Sequence, residues 1–432
     1  MRTRLKPRAL NEWLALLEKR HPTAIELGLE RVARVARRLG VLQPAPRIIS
    51  IAGTNGKGSC VAILEQLCIL AGRGIGAYTS PHLLRFNERI RINGLPLDDR
   101  QLCSAFDIVE AQLGDVSLTY FEFTTLAALL LFRDADLDIV VLEVGLGGRL
   151  DAVNIVDADV SVVTSIDLDH QAWLGNDRAS IGLEKAGIAR AGKALVCGDP
   201  EPPTVFRDYL DALGSVTYML GSGGFRLVGS DPETMLICSD REGKLHRYPN
   251  LPRPRLPEIS AACAVQAMIL AGDVPSVDGV RQVFARCQLP GRFQLHEFRG
   301  RRVLLDVAHN PAAARRLAEN LPRVLGREGR VCALFGVMGD KDIRGIIEPL
   351  LPVVHDWAAC ELRDCPRAAT AGSLVAELVR LGARASACDA VEDALLSIFG
   401  RMRDNDLILV FGSFYTVAEA LDALSRFGDE IG

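Results

Sequence analysis

Short runs of apolar, often β-branched residues recur along the chain, each followed by a stretch with helical spacing. In the first half these runs are Arg47–Ala52, Gly74–Tyr78, Asp138–Val144, Val160–Ile166 and Ala194–Cys197. They are apolar throughout and do not alternate, which is the pattern of parallel strands covered on both faces. The helical pattern of Cys60–Ala71 lies between the first two and completes a βαβ unit. Such alternation predicts an α/β fold with a doubly wound N-terminal domain. Gly221–Arg255 holds Gly, Ser, Asp and Pro among short strand-like pieces and predicts a small antiparallel excursion, followed by a helix over Ile259–Ala271. At the start, charges fall at intervals around Trp13, Leu14, Leu16 and Leu17. Met1–Arg20 therefore predicts an amphipathic helix, not a signal peptide, whose apolar stretch would be unbroken.

Leu289-Pro-Gly-Arg292 marks a turn, and a second strand–helix series begins after it. Its predicted strands are Arg302–Val307, Arg330–Gly336, Val354–Cys360 and Leu407–Phe411. The boundary is expected near Gln288, giving domains over 1–288 and 289–432, the second a smaller Rossmann-like α/β domain. A chain of 432 residues is also too long for one hydrophobic core.

Composition narrows the function classes. Fifty basic and fifty-four acidic residues leave a net charge of −4, which gives no electrostatic case for nucleic acid or an anionic membrane. Apolar runs such as Leu126–Phe132 are far too short to span a bilayer. Eleven cysteines are scattered with no C-x-x-C pair, the usage of buried, reduced thiols in a cytoplasmic protein.

The strongest chemical signal is Gly53-Thr-Asn-Gly-Lys-Gly-Ser59, directly after one predicted strand and before a helix. Glycines let successive N–H groups converge on phosphate oxygens, and the helix N-terminus adds its partial positive charge. Lys57 would reach the terminal phosphates of a nucleotide and the Ser59 hydroxyl would bind Mg²⁺. Gly58 between lysine and serine departs from the common G-x-x-x-x-G-K-[ST] spacing. Glu143 ends Ile139-Val-Val-Leu142 and precedes Gly145-Leu-Gly-Gly148, a place for a metal-binding carboxylate. An ordinary polar residue at a strand end is the other account of it. His170, in Asp167-Leu-Asp-His170, is an unusual ligand for Mg²⁺, which prefers oxygen. Lys185, taken as lying near a helix start, is by itself a solvated side chain. Asp306 suits a ribose hydroxyl or belongs to a helix N-cap region before Asn310-Pro311; Arg292 reaches phosphates from between the domains or is simply solvated.

Together these pieces resemble the bifunctional dihydrofolate synthase/folylpolyglutamate synthase branch of the Mur ligase superfamily. The matching segments include His21–Arg31, Gly53–Ser59, Thr79-Ser-Pro-His-Leu83, Leu118–Glu122, Glu143–Ala152, Asp169–Gly175, Glu184–Ile188, Leu289–Gln294, Asp306–Pro311, Gly339–Asp342 and Gly412–Val417. The resemblance runs in order along nearly the whole chain. It implies that Asn55, Gly56, Lys57 and Gly58 cradle the phosphates of ATP, with Arg292 and Asp306 as further ATP contacts. It implies Mg²⁺, two ions, with Ser59, Glu143 and His170 as the metal-holding positions. Lys57, Lys185 and His170 are the implied catalytic residues, and Lys185 matches a lysine that is carbamylated in the superfamily. Leu27, Gly28 and Leu29, Thr119, Tyr120, Phe121 and Glu122, and Leu150, Asp151 and Ala152 match segments of the dihydropteroate pocket. Two positions depart: Ser260, near the adenine, stands where asparagine is common, and Val153 where threonine is frequent.

The implied reaction is ATP-dependent coupling of L-glutamate to dihydropteroate or to reduced folates through an acyl phosphate, by a cytoplasmic monomer with small-molecule substrates only. With ATP bound between the domains, domain closure would bring Arg292 and Asp306 onto the nucleotide and exclude water from that acyl phosphate. A cell-wall Mur ligase acting on a UDP-linked substrate is the nearest alternative. Thr119–Glu122 and His21–Arg31 speak against it, and no extra domain for a UDP sugar is expected. A P-loop switch that reads guanine would need N-K-x-D, and Gly339-Asp-Lys-Asp342 is not that motif.

Overall fold

The computed structural model describes residues 8–23, 25–221, 223–229, 234–298, 300–325, 329–362, 365–403 and 405–429. The chain forms two compact units, Met1–Cys287 and Gln288–Gly432.

The centre of the first unit is parallel. Its strands run in the order Ala194–Cys197, Val160–Val163, Arg47–Ala52, Ile139–Glu143 and Ile75–Tyr78. All five are almost wholly buried, as their unbroken apolar runs require. Arg47–Ala52 is the switch point: the chain crosses over it from Ile139–Glu143 on one side to Val160–Val163 on the other. Ligands of open α/β sheets gather beyond the carboxyl ends of strands at such a point. Registers Ile51↔Glu143 and Ala52↔Val163 bring three strand ends side by side there.

Helix Lys57–Leu70 leaves this end and packs on helix Glu258–Leu270, which is buried from Ser260 to Leu270. The N-terminal helices Leu10–Arg20 and Glu30–Leu39 close a separate aromatic core. Trp13 meets Phe106 edge-on at 5.9 Å, and Phe106 meets Phe123 at 5.6 Å. Such pairs contribute roughly 0.5–1.5 kcal/mol beyond the burial of their area.

Several expected bounds shift. The helix after strand Arg47–Ala52 starts at Lys57, not Cys60, because Gly56 in left-handed backbone already serves as its N-cap. The strand expected to reach Ile166 stops at Val163, since Thr164–Asp167 turns its hydrogen bonds toward the loop after Ala52. Residues 1–7 of the amphipathic N-terminal stretch lie outside the described residues. The expected excursion is an antiparallel ladder of Gly223–Val228, Thr234–Ser239 and Leu245–Leu251.

The second unit is a six-stranded sheet in the order Gln294–Phe298, Arg301–Asp306, Leu407–Phe411, Val331–Phe335, Asp356–Cys360 and Ala385–Cys388. All its pairings are parallel except that of Gln294–Phe298, an antiparallel edge. Phe335 stacks on Phe411 at 4.8 Å, and Trp357 abuts both. The two edge strands were not anticipated: Ala385-Ser-Ala-Cys388 has little β-branched character, and Gln294–Phe298 alternates instead of running apolar. Among the described residues no helix is long and apolar enough to cross a membrane.

Candidate active site

The loop after strand Arg47–Ala52 is held in one conformation by its neighbours. Thr54 N–H donates to the Ser165 carbonyl at 2.9 Å, and Asn55 N–H donates to Ser165 Oγ at 3.0 Å. Thr164 Oγ1 donates to the Asn55 carbonyl at 2.7 Å. Thr54 Oγ1 donates to the Asp167 carbonyl and accepts from Asp167 N–H. Two glycines are obligatory here. A Cβ on Gly53 would overlap the Thr164 hydroxyl, and one on Gly56, at φ 85°, would overlap that of Ser260.

Lys57 opens the helix and donates from Nζ to the Gly53 carbonyl at 3.0 Å. Ser59 sits in the first turn, fully buried, and its Oγ has no hydrogen-bond partner among the described residues. A buried hydroxyl left without a partner carries a desolvation cost of about 1–3 kcal/mol. That cost is removed if the hydroxyl meets an ion. Glu143, at the end of the neighbouring strand, is buried and accepts from Ser80 N–H at 3.2 Å. A buried hydroxyl and a buried carboxylate at adjoining strand and helix ends are hard oxygen donors, so this pair fits Mg²⁺. Among the described residues no group of three or more His, Cys, Asp or Glu could hold an ion by itself. Protein ligands here are few, which suits Mg²⁺, since it keeps waters and phosphate oxygens in its shell. His170 differs: it is exposed and its backbone is left-handed, φ 50°.

Lys185 is neither solvated nor near a helix start. It lies in the last turn of helix Arg178–Ala186, capped at its N-terminus by Asp177, and is only 3% exposed. Burial pulls its pKa down to about 7, and the charge of Lys57 pushes the same way, against Asp169 and Glu184. Lys57 and Lys185 are thus brought within electrostatic reach of each other. Asp151 is buried as well, its carboxyl raised to about 6 by burial while the Leu146 and Val153 amides and Lys57 oppose the rise.

The implied pocket segments divide by role. Gly28 N–H donates to the Leu150 carbonyl at 3.3 Å, joining Leu27–Leu29 to Leu150–Ala152. Thr119 and Glu122 form a reciprocal cap on helix Tyr120–Arg133, and Glu122 also accepts from Arg31 at 2.9 Å. Their polar atoms therefore serve the fold, and Tyr120 and Phe121 carry the ring surface. Phe121 stacks on Tyr78 at 5.9 Å, and the Arg89 guanidinium lies 5.5 Å from the Tyr120 ring centre. Ser260 is buried in the first turn of its helix, against Gly56.

In the second unit, Asp306 accepts from Phe293 N–H and Ala308 N–H, both at 2.8 Å. Burial raises its carboxyl above the ordinary value, opposed by the Arg292 charge and these amides. Asn310, not Asp306, is the N-cap of helix Pro311–Asn320. The Arg292 guanidinium sits 4.7 Å over the Phe414 ring.

A curated protein of Escherichia coli (strain K12), named dihydrofolate synthase/folylpolyglutamate synthase, is 45% identical over 415 residues, covering 96% of this chain and 95% of its own. The chain belongs to the dihydrofolate synthase/folylpolyglutamate synthase family. Residues 291–414 match the family described as Mur ligase, glutamate ligase domain. Among solved structures, E. coli FolC in complex with DHPP and ADP superposes with a TM-score of 0.92 at 44% identity, over 98% of this chain and 99% of that one. A Yersinia pestis bifunctional synthase complexed with AMPPNP and Mn ion gives 0.90 at 44%, over 97% and 98%. The chain is accordingly a ligase of the Mur class, and the fold expected from its sequence is the one found.

Thr164, Ser165 and Asp167 are site-shaping residues that the sequence did not point to. Two hydroxyls straight after an apolar strand, beside a glycine loop, were the available signal.

Proposed function

We propose that the chain joins L-glutamate to dihydropteroate, forming dihydrofolate, and to the glutamate tail of reduced folates, with ATP as the second substrate. The observation that carries this is the fixed glycine loop with its buried, unpartnered Ser59 hydroxyl, in a chain similar end to end to a synthase named for both activities. The acceptor carboxylate attacks the γ-phosphorus of ATP, the bond to the departing ADP oxygen breaks, and an acyl phosphate forms. The amine of free glutamate then attacks the acyl carbon and loses a proton, and phosphate leaves as the amide closes.

No side chain becomes a nucleophile. Asn55, Gly56, Lys57 and Gly58 hold the phosphates and offset the charge that develops on them. Ser59 and Glu143, with His170, would hold Mg²⁺, which neutralises phosphate charge when bound. Arg292 and Asp306 are proposed ATP contacts, and Ser260 borders the same loop. Lys185, at a pKa of about 7, has the uncharged amine that reaction with CO₂ requires. A carbamate there would convert the amine into a carboxylate-like group suited to a second ion. Leu27–Leu29, Thr119–Glu122 and Leu150–Ala152 are the proposed dihydropteroate segments, supported by the Gly28–Leu150 hydrogen bond and the Tyr120 and Phe121 rings.

The synthase is further proposed to work as a cytoplasmic monomer; its eleven cysteines are all free thiols. Incubation with ATP, Mg²⁺, L-glutamate and dihydropteroate, read by mass for dihydrofolate and ADP in equal amounts, tests the reaction. ATP consumption without dihydrofolate overturns it.

A further inference from the structure

The phosphate loop does not hold its own shape. Both polar groups of Asn55's backbone are tied to the segment that follows strand Val160–Val163. Asn55 N–H donates to Ser165 Oγ at 3.0 Å. Its carbonyl accepts from Thr164 Oγ1 at 2.7 Å and from Ser165 Oγ at 3.2 Å. Thr164 Oγ1 also lies 3.3 Å from the Ala52 carbonyl, at the other end of Gly53. Thr164 is buried and Ser165 half-buried, so water competes poorly with the first of these contacts.

In a trans peptide the carbonyl and the next N–H lie in one plane and point to opposite sides of the C–N bond. Pinning the Asn55 carbonyl onto Thr164 and Ser165 therefore turns the Gly56 N–H away from them. Gly56 is the N-cap of helix Lys57–Leu70, where unpaired N–H groups collect. Gly53 comes so close to Thr164 that no side chain fits between them, so loop and segment are packed as one body.

We propose that Thr164 and Ser165 are positioning residues for ATP: their hydroxyls fix the Asn55–Gly56 peptide in the orientation that presents its N–H to a nucleotide phosphate. This rests on the loop's being the ATP phosphate site, as proposed above. Neither residue touches the reacting atoms. Their contribution is to settle the loop's conformation before ATP arrives, which cuts the ordering cost of binding.

The test is steady-state kinetics of the full chain, with ATP and glutamate varied in turn and ADP affinity measured by calorimetry. Thr164→Val keeps the side-chain shape without the hydroxyl, Ser165→Ala removes the second hydroxyl, and Thr164→Ser retains the first. Each hydroxyl lost is expected to raise the KM for ATP and the Kd for ADP about ten-fold, the effect of one hydrogen bond. The KM for glutamate stays within about two-fold and Thr164→Ser stays near wild type by the same reasoning. An unchanged KM for ATP in Thr164→Val overturns the proposal. So does a rise shared equally by ATP and glutamate, which is what general loosening of the fold would give. If Thr164→Val does not fold, Ser165→Ala is read against the same two outcomes. A wild-type protein that binds ADP but ligates nothing defeats the proposed reaction alone, and the ADP affinities then decide the loop's case.

Discussion

Glu122 divides its carboxylate between two partners: one oxygen accepts from Arg31 at 2.9 Å, the other from Thr119 N–H at 2.8 Å. It is 3% exposed, so helix Tyr120–Arg133 and the N-terminal helix Glu30–Leu39 are joined through a buried charge. Glu122→Ala removes the return bond from Thr119 N–H and leaves Arg31 with one partner fewer, while the Thr119 hydroxyl still caps the Glu122 N–H. A loss of about 2–3 kcal/mol in urea unfolding is expected, combining two hydrogen bonds to a buried carboxylate. Arg31 is about a quarter exposed, so water recovers part of its share.

Gly56 has two separate reasons to be glycine, and a pair of substitutions separates them. Gly56→Ala should abolish ATP turnover, because its Cβ overlaps the Ser260 hydroxyl and the residue sits at positive φ. Adding Ser260→Ala removes the overlap, since Cβ-to-Cβ spacing is then 3.6 Å. The strain of left-handed backbone remains, roughly 1–2 kcal/mol. The double variant should therefore unfold at higher urea than Gly56→Ala and still below wild type.

Lys185 gives a pH-dependent prediction. Its folded-state pKa of about 7 lies below the ordinary 10.5, so the unfolded chain binds the extra proton between those values. Burying the ammonium destabilises the fold fully below pH 7, and this penalty fades as the pH rises toward 10.5. Lys185→Met should be more stable than the unmodified wild type at pH 6.5, with the gain shrinking by pH 9.5. Urea unfolding at the two pH values checks this, and an equal gain at both contradicts it.

Lys57→Ala leaves a folded protein, because among the described residues the lysine's hydrogen bond is a local one, to the Gly53 carbonyl. Turnover should fall by about a hundred- to a thousand-fold, the usual effect of losing one charge-stabilising group. Its urea midpoint should stay close to wild type, within about 0.5 kcal/mol. Retained turnover removes the loop from the mechanism.

The parallel strands and the glycine loop were legible because their signals are local: unbroken apolar runs and a strand–Gly–Lys–helix order. Thr119-x-x-Glu122 is equally local, since its spacing is that of a capping box and the structure forms one. Lys185 was illegible for a different reason. It is buried where helix Arg178–Ala186 packs on the Gly148 backbone, within electrostatic reach of Lys57, and both lie well earlier in the chain. The same holds for Thr164 and Ser165, whose partners lie about 110 positions earlier. Ser59 was found from its motif, and only the fold shows that its hydroxyl is buried without a partner.

The most direct measurement of the central claim is phosphate release with ATP, Mg²⁺ and L-glutamate, comparing dihydropteroate with tetrahydrofolate as acceptor. Glutamate-dependent release with each acceptor is the predicted result. Release with neither, from folded protein that binds ADP, would contradict the account and redirect it to another carboxylate acceptor.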